Sequence, residues 1–231
     1  MTLPEWRVFG DADSLMAALV DALCAEAAAA IAARGAFHLV LAGGNTPRAL
    51  YRALADRQAG DARWHLWYGD ERCLPADHPD RNSVMIESAW LAASPIPPAN
   101  RRPIPAERGA PEAASIYAGW LNGVGDFDVV LLGMGEDGHT ASVFPRHDWG
   151  GAPDSADVLA VQGAPKPPPE RVSLSVARLN RSQCVWFLIT GSGKRHALRR
   201  WAWHEPLPVA AVHGRRQTVA WVDALAWPAD D

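Results

Sequence analysis

Hydrophobic and polar positions along the chain switch between two periods. Leu15, Leu19, Leu23 and Ile31 keep helical spacing up to Gly35, and Asp11-Ala12-Asp13-Ser14 ahead of them can cap a helix. Residues 37–41 (Phe-His-Leu-Val-Leu) then read as a short buried strand that ends in Gly43-Gly44. Thr46-Pro47 reads as a cap followed by proline at the first helical position, opening a helix to about Arg57. Residues 64–68 form the next predicted strand, with Gly69-Asp70-Glu71-Arg72 at its C-terminal end. The pattern predicts helices over 82–92 and 111–121, and a strand over 127–132 that again runs into glycines. Two more strands follow at 171–175 and 184–190, the second leading through Gly191-Ser192-Gly193 into a helix rich in Arg, His and Trp.

Strands alternating with helices predict an α/β fold, a Rossmann-like three-layer sandwich whose mainly parallel central sheet is flanked by helices. In such folds ligands bind beyond the carboxyl ends of the strands. The unusual residues fall there: Gly43 to Thr46, Asp70-Glu71-Arg72, Gly133 to His139, and Gly191 to Lys194. The stretch 145–170 has few regular signals and contains Lys166-Pro167-Pro168-Pro169, so it reads as a surface loop at the mouth or edge of the sheet, with Lys166 in solvent.

Composition narrows the picture. The 231 residues are 48% hydrophobic and fit one domain over 1–231 with ample material for a core. A net charge of −4 without blocks of like charge argues against nucleic acid as a partner. The wholly apolar runs fall short of a membrane span, and Glu5 and Arg7 interrupt any leader-like start, so no membrane partner is expected. Cys24, Cys73 and Cys184 are widely spaced and make neither a disulfide framework nor a zinc set, which fits a cytoplasmic protein. Eleven Trp are scattered through the chain and read as anchors of core and surface rather than a stacking platform. Of 22 basic residues only Lys166 and Lys194 are lysines.

The glycine-rich segments each admit more than one chemistry. Gly43-Gly44-Asn45-Thr46-Pro47 joins a strand to a helix and can be an ordinary capped turn or an anion site, where backbone N–H groups and the helix dipole meet an oxyanion. Gly133-Met134-Gly135-Glu136-Asp137-Gly138 fits G-x-G-x-x-G, yet a dinucleotide there would set its pyrophosphate beside two carboxylates. The better reading places Asp137 and His139 at the mouth of the sheet, where a histidine can take a proton from water. Mutual contact of residues two apart needs a tight turn, which Gly138 permits. Arg72, with its fork of donors, suits phosphate or carboxylate, unless Asp70-Glu71-Arg72 is merely a solvated rim or local ion pair. Gly191-Ser192-Gly193-Lys194 lacks the first glycine of a nucleotide P-loop and has Arg195 in place of the magnesium-binding hydroxyl, but Lys194 can bind phosphate as a point charge. No serine-hydrolase elbow or zinc motif is present, and His139, Asp137 and His147 are a weak metal set; no metal and no cofactor are expected.

Together, Gly43 to Pro47, Gly69 to Arg72 with Pro75 and His78, the long segment Gly133 to Pro145, and Gly191 to Lys194 resemble the 6-phosphogluconolactonase family, related in fold to the glucosamine-6-phosphate deaminases. The resemblance runs over about residues 5–225 and implies metal-free hydrolysis of 6-phospho-D-glucono-1,5-lactone to 6-phosphogluconate, in the oxidative pentose phosphate pathway. It implies His139 as general base, with Asp137 and Asp70 orienting the catalytic groups. Arg72, Lys194 and Arg171 would bind substrate and phosphate, and Gly43, Gly44, Asn45 and Thr46 would form the anion loop. The partner would be a phosphorylated sugar lactone, and the protein a monomer or small homo-oligomer. Asn45 replaces the family's usual Ser, and Arg81 stands where Ser is common, so Arg81 either joins the pocket rim or points to solvent. Two alternatives are a deaminase/isomerase and a non-catalytic sugar-phosphate sensor. The deaminase branch has a catalytic Glu five residues after the His, where this chain has Phe144, and a sensor would not need His139.

Overall fold

The protein is described by a computed structural model over residues 3–228. In chain order its elements are β1 (Glu5–Phe9), α1 (Ala12–Arg34), β2 (Phe37–Leu41), α2 (Asn45–Asp56), β3 (Trp64–Tyr68), β4 (Asp70–Arg72), α3 (Asn82–Ala89), β5 (Arg101–Arg102) and α4 (Ala110–Leu121). They continue with β6 (Phe127–Gly133), β7 (Val158–Val161), β8 (Arg171–Leu174), α5 (Val176–Leu179), β9 (Ser182–Ile189), α6 (Arg195–Ala202), α7 (Pro208–Ala211) and β10 (Gln217–Asp223).

Strands β1-β10-β9-β6-β2-β3-β5, in that spatial order, form one sheet in which every neighbouring pair is parallel. Helices flank it, as the alternating pattern predicts. β4, β8 and β7 form a second, antiparallel sheet. This corrects two expectations: the strand at 171–175 does not join the parallel sheet, and the supposed loop 145–170 contains β7. Of the strands in the parallel sheet, β1, β5 and β10 were not anticipated. β1 carries Glu5 and Arg7 and is only half-buried, and β5 is two residues long, so neither shows the buried-strand pattern.

The Asp11 carboxylate accepts the Ser14 N–H at 2.7 Å and starts α1, which ends at Gly35 in the left-handed region. Length and composition would let α1 cross a membrane, which counting wholly apolar runs overlooked. Here its Leu15, Met16, Leu19, Val20 and Leu23 are buried, and that burial accounts for its apolar character. α2 starts earlier than expected, at Asn45, with Gly44 at its N-cap and no side-chain cap. The Thr46 hydroxyl instead meets that of Thr190 at the end of β9, 2.7 Å away.

One apolar cluster runs from Leu15 to Ala226, and Phe144, Val161 and Ala164 make a small separate one. Trp64, Trp67, Trp90, Trp186, Trp201 and Trp221 are buried in the main cluster, in keeping with their reading as anchors.

Glu71 is fully buried and ties the second sheet to α3. Its carboxylate accepts the N–H groups of Arg72, Asn82 and Ser83 at 2.7–2.8 Å, the last two being orphan donors of the helix start. Arg81 lies 3.5 Å from the same carboxylate, reaches Glu107 at 2.8 Å and donates to the Ile104 carbonyl. Arg81 is therefore neither at the pocket rim nor in solvent. Replacing Glu71 by Ala leaves three N–H groups without their acceptor and takes one of two carboxylates from Arg81, and should cost ~3 kcal/mol of stability. Urea unfolding measures it; a loss below about 1 kcal/mol would mean that the pair contributes no more than a surface contact.

Candidate active site

The C-terminal ends of β2, β3, β6 and β9 point one way, and a cleft of about 570 Å³ opens beyond them. Gly43, Gly44, Asn45 and Thr46 line it with the first turn of α2, whose early N–H groups have no partner within the helix. Asp70, Arg72, His139, Arg171 and Lys194 complete the walls predicted from sequence. Asp137 sits behind His139.

The segment after β6 does not enter a helix, as a dinucleotide fingerprint would. It folds back: Gly138 N–H donates to the Gly135 carbonyl at 3.0 Å and Gly135 N–H to the His139 carbonyl at 2.8 Å. That turn sets His139 Nδ1 2.5 Å from Asp137 Oδ1. A Cβ at Gly135 would lie 2.0 Å from the same nitrogen, so only glycine allows the pair to form. A carboxylate can only accept, so Nδ1 carries the proton and Nε2 keeps its lone pair. The ring also packs on Phe144, centroids 4.7 Å apart. Burial lowers the basicity of His139 below the usual imidazole range, with the Asp137 bond and charge opposing it in part. Burial raises the Asp137 carboxyl, but the His139 bonds and charge together outweigh it and hold Asp137 below its ordinary range. His147 places its ring nitrogens 3.2 and 3.4 Å from the carbonyls of Pro145 and Gly163, only one of which a neutral ring can bond, and among the described residues no metal-holding cluster forms.

Asp70 is held from both sides, by Ser142 Oγ at 2.6 Å and Asn82 Nδ2 at 3.1 Å. Gly43 lets Asn82 come close, since a Cβ there would lie 1.9 Å from Asn82 Oδ1. Arg72 donates to the Asp80 carbonyl at 2.6 Å, which fixes its guanidinium at the cleft wall. Asn82 and Ser142 lie in family-like segments but were not singled out as site residues, because they work through Asp70.

Lys194 ends the turn Gly191-Ser192-Gly193, and that turn is anchored by buried Asp223. Both Asp223 oxygens accept the Gly191 N–H, at 3.0 and 3.1 Å, and one accepts Ala226 N–H at 2.8 Å. Burial lowers the Lys194 pKa, and Glu136 works against that shift. Lys166 is exposed, as its sequence reading has it, and it also lines the cleft wall. Its scarcity in an arginine-rich chain was the available signal; the proline run argued against it. Arg72, Lys166, Arg171 and Lys194 thus face one cleft, and among the described residues none has a carboxylate within ion-pair distance. Such a wall suits a small anion, and the His139–Asp137 pair can accept a proton from water beside it.

The model of the family described as glucosamine-6-phosphate isomerases/6-phosphogluconolactonase matches residues 10–221. The chain is 39% identical over 178 residues to a 6-phosphogluconolactonase of Synechocystis, covering 73% of this chain and 72% of that one. It is 34% identical over 244 residues to a 6-phosphogluconolactonase of Streptomyces coelicolor, covering 96% and 93%. The crystal structure of 6-phosphogluconolactonase from Thermotoga maritima superposes with a TM-score of 0.88 at 28% identity, covering 96% of this chain and 100% of that one.

The His139 environment has a direct readout. In an NMR titration its ring should have its midpoint below 6.5, and Asp137→Asn should lower it further, since Asp137 is the group that favours the charged ring. A midpoint that rises in that variant would contradict the pairing.

Proposed function

The chain belongs to the glucosamine-6-phosphate isomerase/6-phosphogluconolactonase family, and we propose that it hydrolyses 6-phospho-D-glucono-1,5-lactone to 6-phosphogluconate with His139 as general base. The observation that carries the mechanism is His139 held through Nδ1 by Asp137, with Nε2 left basic beside four unpaired cations. Water gives a proton to Nε2 as its oxygen bonds to the lactone C1, and the carbonyl electrons move onto the carbonyl oxygen. When that oxyanion collapses, the bond from C1 to the ring oxygen breaks, and the ring oxygen takes the proton back from His139. The resulting acid ionises to solvent, so the base is regenerated and atoms balance. A lowered His139 pKa keeps the ring neutral, hence competent as a base, at neutral pH.

Arg72, Lys194 and the α2 start bind the phosphate in this reading, Asp70 orients neighbouring groups, and Arg171 stands at the same wall. Phe144 favours hydrolysis over the deaminase/isomerase alternative: a fully buried phenyl ring occupies the place of that branch's carboxylate. A sensor would have no use for the His139–Asp137 pair. We read residues 1–231 as one catalytic domain, acting on a small molecule as a monomer or small homo-oligomer. The free cysteines fit the reducing cytoplasm.

The assay is lactone hydrolysis by the purified protein, corrected for the spontaneous reaction. His139→Ala should lower kcat by about 10²–10⁴-fold while 6-phosphogluconate still binds; unchanged turnover would remove His139 from the reaction. Arg72→Ala and Lys194→Ala should mainly weaken 6-phosphogluconate binding, each by about tenfold or more. Unchanged affinity in calorimetry would place the phosphate elsewhere.

A further inference from the structure

Arg171 spends most of its donors on its own chain. Its Nη2 bonds the carbonyls of Lys166 and Pro167, each at 3.0 Å, and its Nε bonds that of Pro168 at 3.2 Å. Pro167, Pro168 and Pro169 have no N–H, so this turn offers carbonyls without donors of its own, and one buried guanidinium supplies them. The turn is closed by Ala164 N–H bonding the Pro169 carbonyl at 2.9 Å, and Ala164 and Val161 pack on Phe144. Phe144 also carries the His139 ring, and the Arg171 guanidinium lies 5.5 Å from its centroid. A continuous set of contacts therefore runs from the imidazole through Phe144 and Arg171 to the backbone of Lys166, whose side chain lines the same cleft. The positive charge of Lys166 disfavours the protonated His139 ring, and Asp137 and Asp70 favour it. Arg72, by contrast, is tied to Asp80, and Lys194 stands by Glu136.

We propose that Lys166 is the cation that meets the charge developing on the lactone carbonyl oxygen, and that Arg171 is the positioning residue that holds Lys166 in place. This rests on the lactonase reading. When water adds to C1, the oxyanion forms within reach of the Lys166 ammonium. After the ring bond breaks, the same oxygen belongs to the product carboxylate, so Lys166 holds the product's second negative group while Lys194 and Arg72 hold its phosphate. A cation that meets charge appearing only during reaction accelerates the chemical step more than it tightens substrate binding.

The experiment compares wild type, Lys166→Met, Lys166→Arg, Arg171→Met and the double variant, in lactone hydrolysis and in inhibition by two probes. One probe is 6-phosphogluconate; the other is glucitol 6-phosphate, which has the same chain and phosphate but no carboxylate. Lys166→Met should lower kcat by about 10²–10³-fold with little change in KM, and weaken 6-phosphogluconate without weakening glucitol 6-phosphate. It should also move the acid limb of kcat to higher pH, because losing a nearby positive charge makes His139 easier to protonate. Lys166→Arg should restore part of kcat. Arg171→Met should reproduce these changes, and adding Lys166→Met to it should cost little more. Unchanged kcat in Lys166→Met, or equal weakening of both probes, would overturn the assignment of Lys166. Additive losses in the double variant would overturn the positioning role of Arg171. A wild type inert on the lactone would overturn the lactonase reading and this proposal with it, whereas an active wild type with an unimpaired Lys166→Met would overturn this proposal alone.

Discussion

The common direction of the seven strands governs everything else in this molecule. A parallel sheet needs its connections to cross back over a face, so each turn at a carboxyl end faces the same side as its neighbours. β2, β3, β6 and β9 therefore deliver four turns from widely separated sequence positions to one edge of the sheet. α2 begins at that edge and adds the unpartnered N–H groups and positive end of its dipole to the side chains gathered there.

The charged residues divide their work by sign. The buried carboxylates are builders: Glu71 caps α3, Asp223 holds the turn of Lys194, and Asp70 is bonded by Ser142 and Asn82. Asp137 sets the tautomer of His139. The cations at the cleft have no carboxylate partner, although Arg171 is buried and bonds the proline turn and Arg72 bonds the Asp80 carbonyl. Each of these acids is satisfied by N–H or O–H donors, so none needs the cleft cations as partners, and Arg72, Lys166 and Lys194 stay available to an anion. The second, antiparallel sheet adds to this division, because β8 carries Arg171 at its start and the proline turn ahead of it forms one wall.

Much of this was legible in the sequence, and what was missed has physical causes. The β2, β3, β6 and β9 strands show as mainly apolar runs because both of their faces are covered. Gly135 and Gly138 betray a chain that must come close to itself at His139. Thr46-Pro47 misled because a proline near a helix start is as compatible with the third position as with the first, and a glycine had already taken the cap. Arg81 could not be placed from sequence, since its role depends on Glu71 and Glu107, which approach it only in the fold. β4, β8 and β7 form their own sheet, a pairing no local pattern encodes.

The sequence by itself determined the alternation of strand and helix, the family, and the residue types that gather at the strand ends. Those properties are local: periodicity, glycine content and motif spacing survive without knowledge of distant contacts. Tertiary structure alone decided which charges are spent on the protein and which remain for a ligand. Lys166 shows the difference. In the chain it is a lysine in a proline run, indistinguishable from a solvated one. Folded, its carbonyl is bonded by a guanidinium five residues away, and its ammonium shares a cleft with His139 and Lys194, because β8 brings Arg171 under that turn.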